Sequence, residues 1–244
     1  MTYKAYIRKD GKFPVTDWAM SAYYGFKDRG TKVILYVDIN KVPLSKFNII
    51  VSGVDETIQR LKDLGIEPPK PLHIPEELQR YSLLGRDLKF MTYKEFKDDI
   101  DNIKFPIFIK PEGNAKQYLA GPVSSKESAL SIYANVPDEC SIMICDKIEF
   151  ISEYRCYIEK GRLVGLKHYN GDFLLFPNTF VIEAAINFYK SAPIAYTMDF
   201  GISDKGWTYL IECNDAFSIG NYGLAHDVYA GMLAKRWHEL MCKK

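Results

Sequence analysis

The sequence predicts a mixed α/β and α+β chain, and three observations carry that prediction. Residues 3–64 alternate strand and helix in the order β-α-β-β-α, the pattern of a small open sheet with covering helices. Pro68, Pro69, Pro71 and Pro75 then form a stiff connector that cannot be regular structure. Beyond it, strand-like runs are joined by short turns at Lys160-Gly161 and at Ser203 to Gly206, which are hairpin signals.

Each element has its own signal. Residues 3–8 alternate as a short strand. Thr16 and Asp17 open a helix that runs to Arg29 and closes at Gly30. The apolar runs Lys32 to Val37 and Phe47 to Ser52 read as buried strands. Gly53 precedes a helix from Val54 to Leu64, ended by Gly65. A short helix is predicted from Pro75 to Leu84, with Gly85 after it. Thr92 with Glu95 matches a capping box for a helix to Ile100. Phe105 to Lys110 is a strand, and Gly113 to Gly121 is a loop from which a second strand emerges. Ser124 and Ser125 with Ser128 open a helix to Ala134. Ser141 to Cys145, Ser152 to Glu159 and Arg162 to His168 are strands, the last two a hairpin. Thr179 to Ser191 is a helix. A second hairpin spans Tyr196 to Asn214. A stretch containing Gly220 and Gly223 leads into a last helix ending at Met241.

Composition narrows the function. An apolar fraction of 47% and a charged fraction of 26% describe a globular protein with ample core. A net charge of +1 provides no global field for nucleic acid or an anionic membrane, so neither partner is expected. The cysteines at 140, 145, 156, 213 and 242 show no zinc-finger spacing, which fits reduced thiols and a cytoplasmic location. The charged start, Met-Thr-Tyr-Lys-Ala-Tyr-Ile-Arg-Lys-Asp, does not read as a signal peptide.

The residues that carry chemistry lie on the strands. Glu212 and Asn214 differ by two and leave one strand face, and Asp199 sits on the partner strand. Three oxygen donors so placed suit Mg²⁺ or Mn²⁺. Upstream, Phe105-Pro-Ile-Phe-Ile-Lys110-Pro is an apolar strand ending in a lysine, a fixed cation for a phosphate. Lys116 follows in a loop bounded by Gly113 and Gly121. The segment Cys145-Asp146-Lys147-Ile148-Glu149 breaks between two strands, so its backbone can meet an adenine edge while Asp146 or Glu149 takes ribose hydroxyls. Glu153 and Arg155 share a face, and Lys167 on the partner strand can face Arg155. Together these two cations would stabilise charge on a transferred phosphoryl group, or they could equally pair with Glu153 or Asp172.

This order of strand lysine, loop lysine, hinge, Glu-Tyr-Arg, Asp199 and Glu212-Cys-Asn214 resembles the ATP-grasp superfamily. Ser52-Gly-Val-Asp-Glu-Thr, Leu64-Gly-Ile-Glu-Pro-Pro and Ser152-Glu-Tyr-Arg-Cys-Tyr look like its R-two-K clade of small bacterial and phage proteins. The resemblance implies a small N-terminal α/β subdomain over residues 1–85, then two α+β lobes over 86–147 and 148–244 that clasp ATP. It implies metal on Asp199, Glu212 and Asn214, and phosphate contacts from Lys110, Lys116, Arg155 and Lys167. The implied reaction activates a carboxylate as an acyl phosphate for attack by an amine, with release of ADP and phosphate. The acid and amine would be small molecules or peptides, and His168, Tyr169, Asp172, Asn221 and Tyr222 are candidates to touch them. A kinase acting on a hydroxyl and a nucleotide-binding module without turnover are the alternatives. The chain departs from the family pattern in the glycine-poor loop around Lys116.

Overall fold

The computed structural model of the protein describes residues 3–111 and 118–242. The first sheet is built on β1 (Lys4–Asp10), β2 (Phe13–Pro14), β3 (Lys32–Tyr36) and β4 (Asn48–Val51). β3 and β4 flank β1 in parallel, and β2 turns back antiparallel against the end of β1. Parallel neighbours need crossovers, and α1 (Asp17–Asp28) supplies the one from β1 to β3. The Thr16 hydroxyl caps α1 by accepting from the Ala19 N–H. α2 (Val54–Asp63) follows β4, with Gly53 as its N-cap.

The helix predicted over 75–84 is instead two pieces. A 3₁₀ turn at Glu76–Leu78 precedes a four-residue α3 (Tyr81–Leu84), which Gly85 closes at φ 62°. The break has a packing reason. Leu78, Leu83 and Leu84 are buried in one core, whereas one continuous helix would turn Leu84 about 120° away from Leu78.

The second sheet contains β5 (Lys89–Thr92), β6 (Ile107–Pro111), β7 (Gly121–Val123) and β8 (Ser141–Asp146), all antiparallel in the order β5-β8-β6-β7. Sequence pattern missed β5, which is an edge strand of only four residues. α4 (Tyr93–Asp98) starts directly after it, with the Thr92/Glu95 capping box formed. α5 (Lys126–Ile132) starts from the matching box between Ser125 and Ser128. Phe96, Ile107, Ile109, Ala129 and Ile142 lie at the core of this layer.

The third sheet runs β10-β9-β11-β12, with β9 (Phe150–Glu159), β10 (Arg162–Gly171), β11 (Ala195–Ser203) and β12 (Thr208–Asp215) all antiparallel. α6 (Thr179–Phe188) and α3 cover one face, where Cys156, Met198, Phe200 and Leu210 form the core. The opposite face carries the charged residues. α7 (His226–Cys242) then crosses to the first sheet, and Trp237, Tyr229 and Met232 share a core with Ile7, Phe26 and Leu61. Buried Arg236 ties α7 back to β12. Its Nε and Nη2 donate to the two carboxylate oxygens of Asp215 at 2.7 and 2.6 Å. Among the described residues, no helix is long and apolar enough to cross a membrane.

α1 and α7 touch at Gly25, where an added Cβ would lie 1.8 Å from the His226 carbonyl oxygen. Backbone cannot yield as a side chain does. Gly25→Ala is therefore expected to cost about 2 kcal/mol through overpacking. That corresponds to a melting temperature lower by about 4–8 °C, read by circular dichroism. An unchanged melting temperature would mean that the two helices are not held at this distance.

Candidate nucleotide and metal site

The charged face of the third sheet is organised as a row across four strands. β10 pairs Lys167 with Arg155 of β9, β9 pairs Arg155 with Asp199 of β11, and β11 pairs Asp199 with Glu212 of β12. Residues directly opposite on neighbouring strands leave the same face, so the row reads cation, cation, carboxylate, carboxylate. Tyr157, Thr197 and Asn214 form the adjacent row.

Two β-bulges set this alignment. The β9–β10 register shifts between Leu163 and Gly165, which brings Lys167 rather than Leu166 opposite Arg155. The β11–β12 register shifts between Asp199 and Phe200, which brings Glu212 rather than Ile211 opposite Asp199. A bulge re-aims side chains by one position, and without these two the row would alternate faces. A further shift between His168 and Asn170 leaves Tyr169 as the extra residue.

The charges pair with one another. Arg155 donates from Nε and Nη2 to both Asp199 oxygens at 2.7 and 2.6 Å, a bidentate contact with both residues buried. Burial acts against the Arg155 charge, but Asp199 outweighs it and holds the guanidinium above its ordinary pKa. Lys110, at the end of β6, reaches across from the second sheet to Glu212 at 3.0 Å. Burial would raise the Glu212 carboxyl, yet Lys110 and the Asn214 amide bring it below its ordinary value. The Asn214 Nδ2 donates to Glu212 Oε1 at 2.9 Å. Lys167 is half-buried and forms no ion pair among the described residues.

A cavity of about 680 Å³ opens between the second and third sheets. Its lining includes the apolar Leu88, Phe90, Phe108, Met143, Ile148 and Phe150 and the charged Arg86, Lys110, Lys147, Glu153 and Glu212. Cys145, Asp146, Ile148 and Glu149, the predicted hinge residues, all line it, and Glu149 pairs with Lys147 at 3.0 Å. Burial pushes the Cys145 thiol up, despite the nearby Arg86 guanidinium. The cavity thus offers apolar side chains to a flat base and cationic ones to an anion.

A family model for the ATP-grasp domain of the R-two-K clade, family 2, matches residues 83–232. The chain belongs to this family. The ATP-grasp fold also appears in solved structures. D-alanine–D-alanine ligase from Bacillus anthracis matches with a TM-score of 0.61 at 14% identity, covering 98% of this chain and 99% of that one. An ATP-grasp RimK domain protein from Sphaerobacter thermophilus matches at 0.59 and 13%, covering 95% and 99%. N5-carboxyaminoimidazole synthetase from Staphylococcus aureus matches at 0.61 and 11%, covering 97% and 80%. No curated protein matches the sequence.

Within this ATP-grasp chain, the oxygen donors of Asp199, Glu212 and Asn214 lie on neighbouring strands of one face, and the buried Thr197 hydroxyl beside Asn214 has no partner among the described residues. This is the donor chemistry of a hard divalent cation. Both Asp199 oxygens accept from Arg155, so a cation there would compete with the guanidinium for the carboxylate. Among the described residues, no group of three or more His, Cys, Asp and Glu stands together as a metal cluster. The set has two carboxylates and an amide.

Other candidates part company. Tyr169 and Tyr222 stack at 5.0 Å beside Arg155. His168 points to the opposite face, with its ring against Tyr154 and Phe173. Asp172 caps its own loop by accepting from the Leu174 N–H. Asn221 is buried and bonds within its loop to Leu224 and Gly223. Lys116 lies outside the described residues.

His73, for which the sequence holds no signal, stands at the centre. It lines the cavity between the sheets, its carbonyl accepts from the Cys213 N–H at 2.6 Å, and its φ is +47°. Burial, then Lys110, lowers its pKa. Arg86 is likewise new, donating from Nη1 to the Leu84 and Leu210 carbonyls at 2.8 and 3.3 Å. A histidine after a proline connector carries no periodicity, and only the fold brings it to Cys213.

Arg155→Ala would leave the Asp199 charge buried and alone. The expected loss is about 3–5 kcal/mol of stability, measured by denaturant unfolding. Arg155→Met combined with Asp199→Leu is expected to recover most of it, because no unpaired charge remains. A double variant as unstable as Arg155→Ala would mean that the contact is not an ion pair.

Proposed function

We propose that the protein is an ATP- and Mg²⁺-dependent carboxylate–amine ligase that forms an acyl phosphate and releases ADP and phosphate. The observation that carries this reading is the position of the Lys110–Glu212 pair. It lines the cavity between the sheets and also a second cavity of about 780 Å³, walled by Val54, Asp55 and Ile58 of α2, by Leu72, and by Phe217. A phosphate held at Lys110 would therefore face a separate room large enough for an acid and an amine. His73 lines both.

In this reading the Cys145–Glu149 hinge takes the adenine, and Asp146 or Glu149 the ribose. Lys110 and Lys116 hold phosphates, and Arg155 with Lys167 faces the terminal one. Asp199, Glu212 and Asn214 hold the metal, which when bound neutralises phosphate charge. The residues position and screen, and no protein nucleophile is needed. The carboxylate oxygen bonds to the terminal phosphorus as the bridge to ADP breaks. The amine nitrogen then bonds to the acyl carbon, the bond to phosphate breaks, and the proton lost by nitrogen leaves with the phosphate or to water. The ligases among the fold neighbours support this class of chemistry.

ATP with Mg²⁺ is expected to raise the melting temperature far more than ATP with EDTA, since a ligand of the native state stabilises it by mass action. Equal shifts would remove the metal assignment. Glu212→Gln is expected to keep the fold by circular dichroism and to lose ADP production, and turnover close to that of wild type would exclude it as a metal ligand.

Across a panel of carboxylic acids, hydroxylamine is expected to trap a hydroxamate with ADP as the nucleotide product. AMP as the main product would refute the acyl phosphate. A stable phosphorylated product without amide would move the reading to a kinase.

A further inference from the structure

The loop after β12 holds a residue under strain. Tyr222 has φ +46° although Gly220 and Gly223 are close by, and a bulky residue is an outlier in that region. Strain of this kind persists only where the surroundings impose it, and here they do. The Tyr157 hydroxyl donates to the Gly220 and Asn221 carbonyls at 2.9 and 2.5 Å. The Tyr229 hydroxyl donates to the Ile219 carbonyl at 2.5 Å. The Asn221 side chain donates to the Leu224 carbonyl at 3.0 Å and accepts from the Gly223 N–H at 2.8 Å.

The product of this pinning is a seat for one guanidinium. The Tyr222 ring centroid is 4.7 Å from Arg155 Cζ, and the ring stacks on Tyr169 with 20° between planes. Tyr169 is fixed in turn, because its hydroxyl donates to Glu153 at 2.7 Å. An added Cβ at Gly220 would lie 3.5 Å from both Arg155 Nη1 and Tyr222 Cζ, so position 220 borders both groups. Asp199 engages only Nε and Nη2.

We propose that Tyr222 is a positioning residue whose ring keeps Arg155 seated when Asp199 turns to a metal, so that the guanidinium meets the terminal phosphate and the site favours a triphosphate over a diphosphate. The proposal rests on the ligase reading above and extends it to a residue that touches neither metal nor phosphate. Without Asp199, an arginine loses the contact that fixes its direction. The cation–π face remains, and it constrains the plane of the guanidinium while leaving free the Nε–Nη2 edge that Asp199 held.

The test is calorimetry on the full chain with Mg²⁺ and two probes, AMP-PNP and ADP. Wild type and Tyr222→Phe are expected to bind AMP-PNP more tightly than ADP. Tyr222→Ala is expected to lose about tenfold of that preference, with ADP affinity and melting temperature nearly unchanged. Tyr222→Asn tolerates the left-handed backbone and is expected to match Tyr222→Ala, which separates the ring from the strain. A Tyr222→Ala protein with the wild-type preference overturns the proposal and leaves the ligase reading standing. So does a Tyr222→Phe protein that loses the preference equally, since the ring face would not be responsible. A wild-type protein that binds neither probe overturns both.

Discussion

A buried bidentate contact between Arg155 and Asp199 is the constraint around which the site is arranged. Neither charge is tolerable alone in a dry sheet, so each residue fixes the position of the other. The sheet must then bring β9 and β11 into a register that allows it, and the neighbouring strands inherit that register. Lys167 and Glu212 extend the row to both sides, and Lys110 closes it from the second sheet.

The cores explain how the row stays still. One face of the third sheet is sealed by Cys156, Met198, Phe200 and Leu210 under α3 and α6. Its far edge is anchored by Arg236 and Asp215, which join β12 to α7, and α7 is packed into the N-terminal core. The proline connector is stitched to β12 at His73 and Cys213. The N-terminal sheet is therefore part of the frame of the site, and α2 contributes to the wall of the second cavity.

Much was legible in the sequence because local chemistry dictates local structure. The Thr16, Thr92 and Ser125 caps start their helices as expected, since orphan N–H groups need acceptors nearby in the chain. Apolar runs form the strands, and Gly85 and Gly161 take the positive φ their turns need. The helix expected over 75–84 failed because propensity there yields to burial of Leu78 with Leu84. β5 was missed because four residues carry too little pattern. His73 and Arg86 were missed because they act through carbonyls that are remote in sequence.

By itself, the sequence determined which residue types were available: a strand lysine, an Arg and a Lys on one hairpin, and Asp, Glu and Asn on another. It also determined, through the spacing of two, that Glu212 and Asn214 share a face. It could not determine that Lys167 opposes Arg155 or that Glu212 opposes Asp199. Each turn followed by regular pairing would place Leu166 and Ile211 there instead, and the bulges near Val164 and Ile211 change the register by one. A bulge inserts a residue where packing on both faces and the pairing of buried charges favour it. Those are contacts among strands far apart in the chain, so only the tertiary structure decides them.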